Sequence, residues 1–124
     1  MVQKILIVED YEQNMILMRD VLKYQGYAVI TAHNGEEGIR QAREQRPDLV
    51  FMDVQMPVMD GYAAIKIVRG DPELREMKVV ACTSYAMSGD KESLLQAGFD
   101  DYLAKPVNIR QLPGIISRHL GKKE

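Results

Sequence analysis

The chain contains a single cysteine, Cys82, in 124 residues. One thiol excludes a disulfide framework within the chain and cannot make a zinc site alone, so a reducing, cytosolic setting fits. Cys82 sits in an apolar run and reads as a small buried hydrophobe rather than a reactive thiol. An excess of basic charge is also missing. The 16 Lys and Arg are set against 18 Asp and Glu, for a formal net charge of −2. That balance lacks the electrostatic footprint of a nucleic-acid-binding module. The basic residues are scattered, and the largest cluster, Lys122 and Lys123, reads as a solvated tail. No apolar stretch approaches the roughly 20 residues that span a bilayer. No signal peptide is visible, because the apolar residues after Lys4 stop at Glu9. Internal repeats, low-complexity tracts and linkers are absent as well.

What remains is an ordinary globular composition, 46% hydrophobic and 27% charged. The length suits one domain over residues 1–124 with a core large enough to fold without staples. Three short apolar runs stand out. Ile5-Leu6-Ile7-Val8 is stopped by Glu9-Asp10, Leu49-Val50-Phe51-Met52 by Asp53, and Val79-Val80-Ala81-Cys82 by Thr83-Ser84. Each is too short for a core helix and is rich in β-branched or bulky residues, so each reads as a buried strand. Tyr27 to Ala32 and Asp101 to Ala104 are weaker strands. Between them lie helical patterns. The first runs from Asn14 to Gln25 and stops at Gly26. A second starts at Asn34, three residues before Glu37 in capping-box spacing, and ends before Pro47. Asp60-Gly61 precedes a third, with Ala64, Ile65 and Val68 inward. Ser88 caps a fourth that runs to Ala97 and stops at Gly98. Asn108 starts a fifth carrying Leu112, Ile115, Ile116 and Leu120. Pro113 lies inside that last pattern and removes a backbone donor, so a kink or a late start is expected there.

Five βα units with near-continuous apolar strands imply an α/β fold with a parallel sheet covered on both faces. Right-handed crossovers make it doubly wound, and the flavodoxin-like order 2-1-3-4-5 is expected, with five helices. In such a sheet, ligands bind beyond the carboxyl ends of the strands, where the order reverses. That crevice lies between strands 1 and 3, so Glu9, Asp10 and Asp53 should meet there. Thr83 comes from the end of strand 4 and Lys105 from the end of strand 5. An acid at one strand end is often only a solvated terminus. Three together repel, at roughly 4 kcal/mol per pair about 4 Å apart when the effective dielectric is about 20. Such a cluster needs a cation or a proton. Lys105 supplies one charge, and Mg²⁺ suits one or two carboxylates plus waters and a phosphate. An aspartate beside Mg²⁺, a hydroxyl and a lysine is a plausible phosphoryl acceptor.

At these residues the chain resembles the receiver domains of response regulators, especially the single-domain ones of two-component systems. The matching segments are Ile5 to Asp10, Asp48 to Gly61, Ala81 to Ser84 and Tyr102 to Pro106, and the likeness runs from Lys4 to Leu120. The resemblance implies that Asp53 is phosphorylated and is also a metal ligand. It implies Asp10 as a direct ligand of Mg²⁺, Glu9 acting through water, and the Gln55 backbone carbonyl completing the protein's share. Lys105 would pair with a phosphoryl oxygen. Thr83 would turn toward the phosphate, and Tyr102 would move inward behind it. Their simpler readings are a hydroxyl satisfied by backbone and a half-buried strand aromatic. Pro106 would follow a cis peptide that aims Lys105. Pro57 and Gly61 shape the loop after Asp53, and Met56 and Met59 in that loop read as packing. His33 and His119 read as surface or helix-end residues, not relay histidines. Gln55 and Tyr85 occupy the variable positions that influence phosphoryl lifetime, and a bulky Tyr85 implies slow to moderate self-dephosphorylation.

The resemblance further implies a cytoplasmic signalling module, not an enzyme with an external substrate. Its partners would be a histidine kinase or histidine phosphotransfer protein and a downstream protein docking on the fourth helix, fifth strand and fifth helix. No membrane or nucleic acid is expected, and a phosphorylation-dependent homodimer is left open. Met1 and the charged tail favour a stand-alone protein over a receiver excised from a hybrid kinase. A Mg²⁺-dependent phosphatase would want a second aspartate where Gln55 stands. A flavin carrier would want a Ser/Thr/Gly-rich loop where Glu9-Asp10-Tyr11-Glu12 would repel phosphate.

Overall fold

The computed structural model describes residues 2–56, 58–84 and 88–121, with the side chains of 88–90 excepted. The elements alternate as β1 (Lys4–Val8), α1 (Glu12–Tyr24), β2 (Ala28–Ala32), α2 (Gly35–Gln45), β3 (Leu49–Asp53), α3 (Gly61–Gly70), β4 (Val79–Thr83), α4 (Ser88–Ala97), β5 (Asp101–Ala104) and α5 (Leu112–Leu120). All strand pairs are parallel, and the sheet order is β2-β1-β3-β4-β5, as the apolar runs predict. Residues alternate between two cores. Leu6, Val8, Val50, Met52 and Ala81 pack beneath α2, α3 and α4, with Ile39, Ile65 and Leu94. Ile5, Ile7, Phe51, Val80 and Cys82 face α1 and α5, with Met18, Leu22 and Ile116. A strand buried on both faces therefore shows no alternation in its sequence, which is why these runs are continuously apolar.

Helix ends follow their local chemistry. The Asn34 side chain accepts from Glu37 N at 2.8 Å. The Glu37 carboxylate reaches back to His33 N at 3.3 Å, one residue before the position that a reciprocal capping box would use. α2 ends on Arg46, which adopts a left-handed φ of 48° ahead of Pro47. Asp60 caps α3 by accepting from Ala63 N at 2.8 Å. α1 starts at Glu12, a half-turn ahead of Asn14. Ser88 is the first residue of α4 rather than its cap, and the residues before it, Tyr85 among them, lie outside the described ones, as does Pro57. The fifth helical pattern divides in two. Asn108 accepts from Arg110 N at the head of a single 3₁₀ turn, Ile109–Gln111, and α5 begins only at Leu112. Pro113 thus falls in the first turn of α5, where a missing N–H costs nothing. Of the two expectations for Pro113, the late start is the one realised.

Two features position the loops. At the amino end of the sheet, Arg69 Nε donates to Gly98 O at 2.8 Å. Its Nη1 donates to Arg75 O at 2.8 Å and Met77 O at 2.6 Å, and its Nη2 pairs with Asp100 at 2.8 Å. At the carboxyl end, the loop after β3 is closed by Gly61 N donating to Val54 O at 2.9 Å. A Cβ on Gly61 would lie 2.7 Å from Val54 Cα and 2.8 Å from Asp53 O. Both contacts are backbone and cannot swing away. Gly61→Ala is expected to cost about 1–3 kcal/mol through this overpacking, read as a lower urea midpoint at unchanged slope. A midpoint equal to that of wild type would show that the loop yields freely. Within the loop, Val58 has a φ of 70°, a left-handed conformation that costs a residue with a Cβ about 1–2 kcal/mol. Met56 is buried and Met59 packs on the adjacent core, so both serve packing as expected.

Candidate functional site

Parallel pairing in this order brings the carboxyl ends of β1 and β3 side by side, with Val8 opposite Met52. Asp53 is the last residue of β3 and is only 2% exposed. Glu9 follows β1 and is 3% exposed, whereas Asp10 is exposed. One carboxylate oxygen from each of Glu9, Asp10 and Asp53 lies within 4.8 Å of the others. Among the described residues, this is the one acidic group with the spacing of a metal site. Its hard oxygen donors suit Mg²⁺ better than a softer ion.

Lys105 enters from the end of β5. Its peptide bond to Pro106 is cis, and its backbone N–H donates to Thr83 O at 2.8 Å. Its ammonium reaches Asp53 Oδ2 at 2.9 Å and Glu9 Oε1 at 3.1 Å. The lysine therefore bridges two of the three carboxylates, and the sequence had foreshadowed only its presence there. Burial, followed by the nearby Glu9 carboxylate, pushes the Asp53 carboxyl above its ordinary value, although Lys105 and the Gln55 N–H act the other way. Burial works to lower Lys105, but the two carboxylates outweigh it and hold its ammonium above the ordinary lysine value. The pocket thus sets one ammonium against three carboxylates and keeps a surplus of acid. Gln55 donates its backbone N–H to Asp53 Oδ1 at 3.0 Å, which fixes the rotation of that carboxylate.

Other neighbours escaped the sequence reading. Asn14 Nδ2 donates to Glu9 Oε1 at 3.4 Å and Tyr11 N to Glu9 Oε2 at 3.3 Å, so the start of α1 holds Glu9 in place. Only the five-residue spacing from Glu9 to Asn14 could have hinted at this. Thr83 is buried at the end of β4. Tyr102 is half-buried beside the α3–α4 core, with the Lys91 ammonium 5.5 Å from its ring centre. Cys82 is buried and burial pushes its thiol up to about 12, which suits an inert core residue. His33 is exposed. His119 stands in the last turn of α5, with Nε2 3.0 Å from Asp101 Oδ2, and Arg118 shares that oxygen at 2.6 Å. Neither histidine belongs to the acidic pocket.

Comparison with known proteins bears on the family and the fold. A family model described as "Response regulator receiver domain" matches residues 5–117. The chain is 41% identical to the polar-differentiation response regulator DivK of Brucella anthropi, over 98% of each chain. A receiver domain of a sensor histidine kinase from Pseudomonas aeruginosa, solved with a magnesium ion in its active-site cleft, superposes with a TM-score of 0.89. It is 38% identical, and the match covers 98% of this chain and 100% of that one. The receiver domain of the response regulator Ssk1 of Saccharomyces cerevisiae was solved with the histidine phosphotransfer protein Ypd1. It matches with a TM-score of 0.89 and 30% identity, over 95% of this chain and 88% of that chain.

Proposed function

Because this chain belongs to the response regulator receiver family, the signalling modules of two-component systems, we propose that it signals by accepting a phosphoryl group on Asp53 from a phosphohistidine. The observation that carries this reading is the state of Asp53. It is a nearly buried carboxylate at a strand end, held by one ammonium and crowded by a second carboxylate. Burial and the neighbouring Glu9 outweigh the Lys105 ion pair and raise the Asp53 carboxyl, so packing alone gives no reason for an acid in that position.

The chemistry follows from the chain's own groups. A carboxylate oxygen of Asp53 attacks phosphorus, the P–N bond to the donor imidazole breaks, and its electron pair returns to the ring nitrogen. The Gln55 N–H orients the attacking carboxylate. The Lys105 ammonium leaves its carboxylate partners for a phosphoryl oxygen as charge builds there. Asp10, Asp53 and the Gln55 carbonyl would hold Mg²⁺, with Glu9 acting through water. When bound, Mg²⁺ supplies positive charge against the phosphoryl oxygens. The magnesium ion in the related kinase receiver supports this assignment.

The donor would be a histidine kinase or histidine phosphotransfer protein, as the pairing of Ypd1 with Ssk1 suggests. Loading would draw the Thr83 hydroxyl toward the phosphoryl group and let Tyr102 move inward. The change would be read on the face of α4, β5 and α5. A hollow of about 690 Å³ lies there, lined by Lys91, Leu95, Tyr102, Gly114, Ile115 and Arg118. A downstream protein is the expected occupant, and a phosphorylation-dependent homodimer would use the same face. The match to DivK over nearly its full length supports a single receiver unit as the signalling element. No helix among the described residues is long and apolar enough to cross a membrane.

The test is incubation with phosphoramidate, read by intact-protein mass. With Mg²⁺ the protein should gain one phosphoryl group, and excess EDTA should slow the gain by about 100-fold or more, in line with losing a principal source of charge stabilisation. Equal gain with and without chelator would remove the metal from the proposal.

A further inference from the structure

Val58 combines two properties that packing does not reconcile. Its backbone is left-handed, with φ of 70°, where β-branched residues are genuine outliers. Its side chain is 81% exposed and lies outside both cores formed by the described residues, so burial does not offset that strain. Glycine or asparagine would fit the same backbone with less strain and no loss of packing. A strained residue with no structural compensation points to a role outside the free molecule.

The location narrows that role. Val58 lies five residues after Asp53, on a loop pinned at both ends by the Gly61–Val54 backbone bond and the Gln55–Asp53 bond. Asp53 is almost completely buried, so any donor must deliver the phosphoryl group through the mouth at the carboxyl end of the sheet. Three of the strands that supply the pocket, β1, β3 and β5, are followed at this end by an exposed apolar residue. Tyr11 follows β1 and is 53% exposed, Val58 follows β3, and Ile109 follows β5 and is 40% exposed. Acidic residues fill the pocket, and apolar ones stand on the loops around it.

We propose that Val58 is a specificity-determining contact for the protein that delivers the phosphoryl group, held out toward an apolar surface on that donor at the expense of backbone strain. This rests on Asp53 being the acceptor. A small phosphodonor needs no such surface, so the side chain matters only when the donor is a protein.

The experiment compares loading of wild type, Val58→Asn and Val58→Ile from two donors. One is phosphoramidate. The other is whichever phosphorylated histidine kinase or phosphotransfer protein from the source genome loads wild type fastest. For Val58→Asn the ratio of protein-donor to phosphoramidate rate should fall about tenfold, the effect of losing one well-buried apolar contact. Val58→Ile should restore the ratio, and the melting temperature of Val58→Asn should rise as strain is relieved. A ratio within twofold of wild type for Val58→Asn would overturn the proposal and leave a merely strained loop. Loading of wild type by phosphoramidate but by no protein donor would also overturn it. Failure of phosphoramidate to load wild type would instead strike at Asp53 as acceptor.

Discussion

Asp53→Asn will abolish the phosphoryl mass gain and, at the same time, make the protein more stable at neutral pH. The first effect follows from position. Asp53 is the carboxylate that combines burial, the Lys105 ammonium and the cluster with Glu9 and Asp10, and an amide oxygen is too weak a nucleophile to replace it. Incorporation from phosphoramidate should drop to background. An equal mass gain in both proteins would refute the assignment. The second effect follows from linkage. Burial and Glu9 raise the Asp53 carboxyl above its ordinary value of 3.8. The folded state therefore keeps its proton longer than the unfolded chain, and stability falls as pH rises through that interval. Asparagine removes the penalty while retaining an oxygen for the Gln55 N–H. The gain should be absent below pH 3.8 and complete above the raised folded value, measured by urea unfolding in chelated buffer. A variant less stable than wild type at pH 7 would mean that the Lys105 ion pair outweighs burial.

Lys105→Met should separate metal binding from phosphoryl transfer by moving them in opposite directions. In the free protein Lys105 pairs with both Glu9 and Asp53, offsetting one of their two charges. Without it, the carboxylates face each other unpaired, and breaking such a buried pair costs about 3 kcal/mol. Mg²⁺ should then bind roughly tenfold tighter, since about 1.4 kcal/mol of repulsion between lysine and ion is gone. Calorimetric titration reads this directly, and Mg²⁺ should recover much of the lost thermal stability. Phosphoryl transfer should nevertheless fall by about 100-fold to 1,000-fold, because a positioned cation on the developing oxyanion is missing. A parallel loss of both properties would show that Lys105 merely holds the pocket together.

The fold was legible because its signals are local. Five apolar segments separated by helical patterns admit few topologies, and the order that follows places Glu9, Asp10, Asp53, Thr83 and Lys105 at one end of the sheet. Pro113 likewise announced the late start of α5. The partners that only folding selects were not legible. Nothing in the sequence says that Lys105 bridges two acids rather than one, or that Asn14 steadies Glu9. The grip of Arg69 on Gly98, Arg75 and Met77 joins the end of α3 to two loops, and Arg118 and His119 share Asp101 across 17 and 18 residues. Such contacts depend on rotamers of long side chains, which carry no periodic signal. Val58 shows the same limit for the backbone, since a β-branched residue argues against the conformation that it adopts.

The Arg69 knot has a practical consequence for anyone who would rebuild this molecule. It fastens the end of α3 to the chain entering β4 and to the turn before β5, all at the pole opposite the acidic pocket. Loop replacement, reporter insertion or circular permutation at that pole would unpick several strands of the scaffold in one cut. Grafts on the exposed loops at the pocket pole leave that knot intact. The protein is thus divided into a chassis, which an engineer should inherit unchanged, and an interchangeable face on which new recognition can be written.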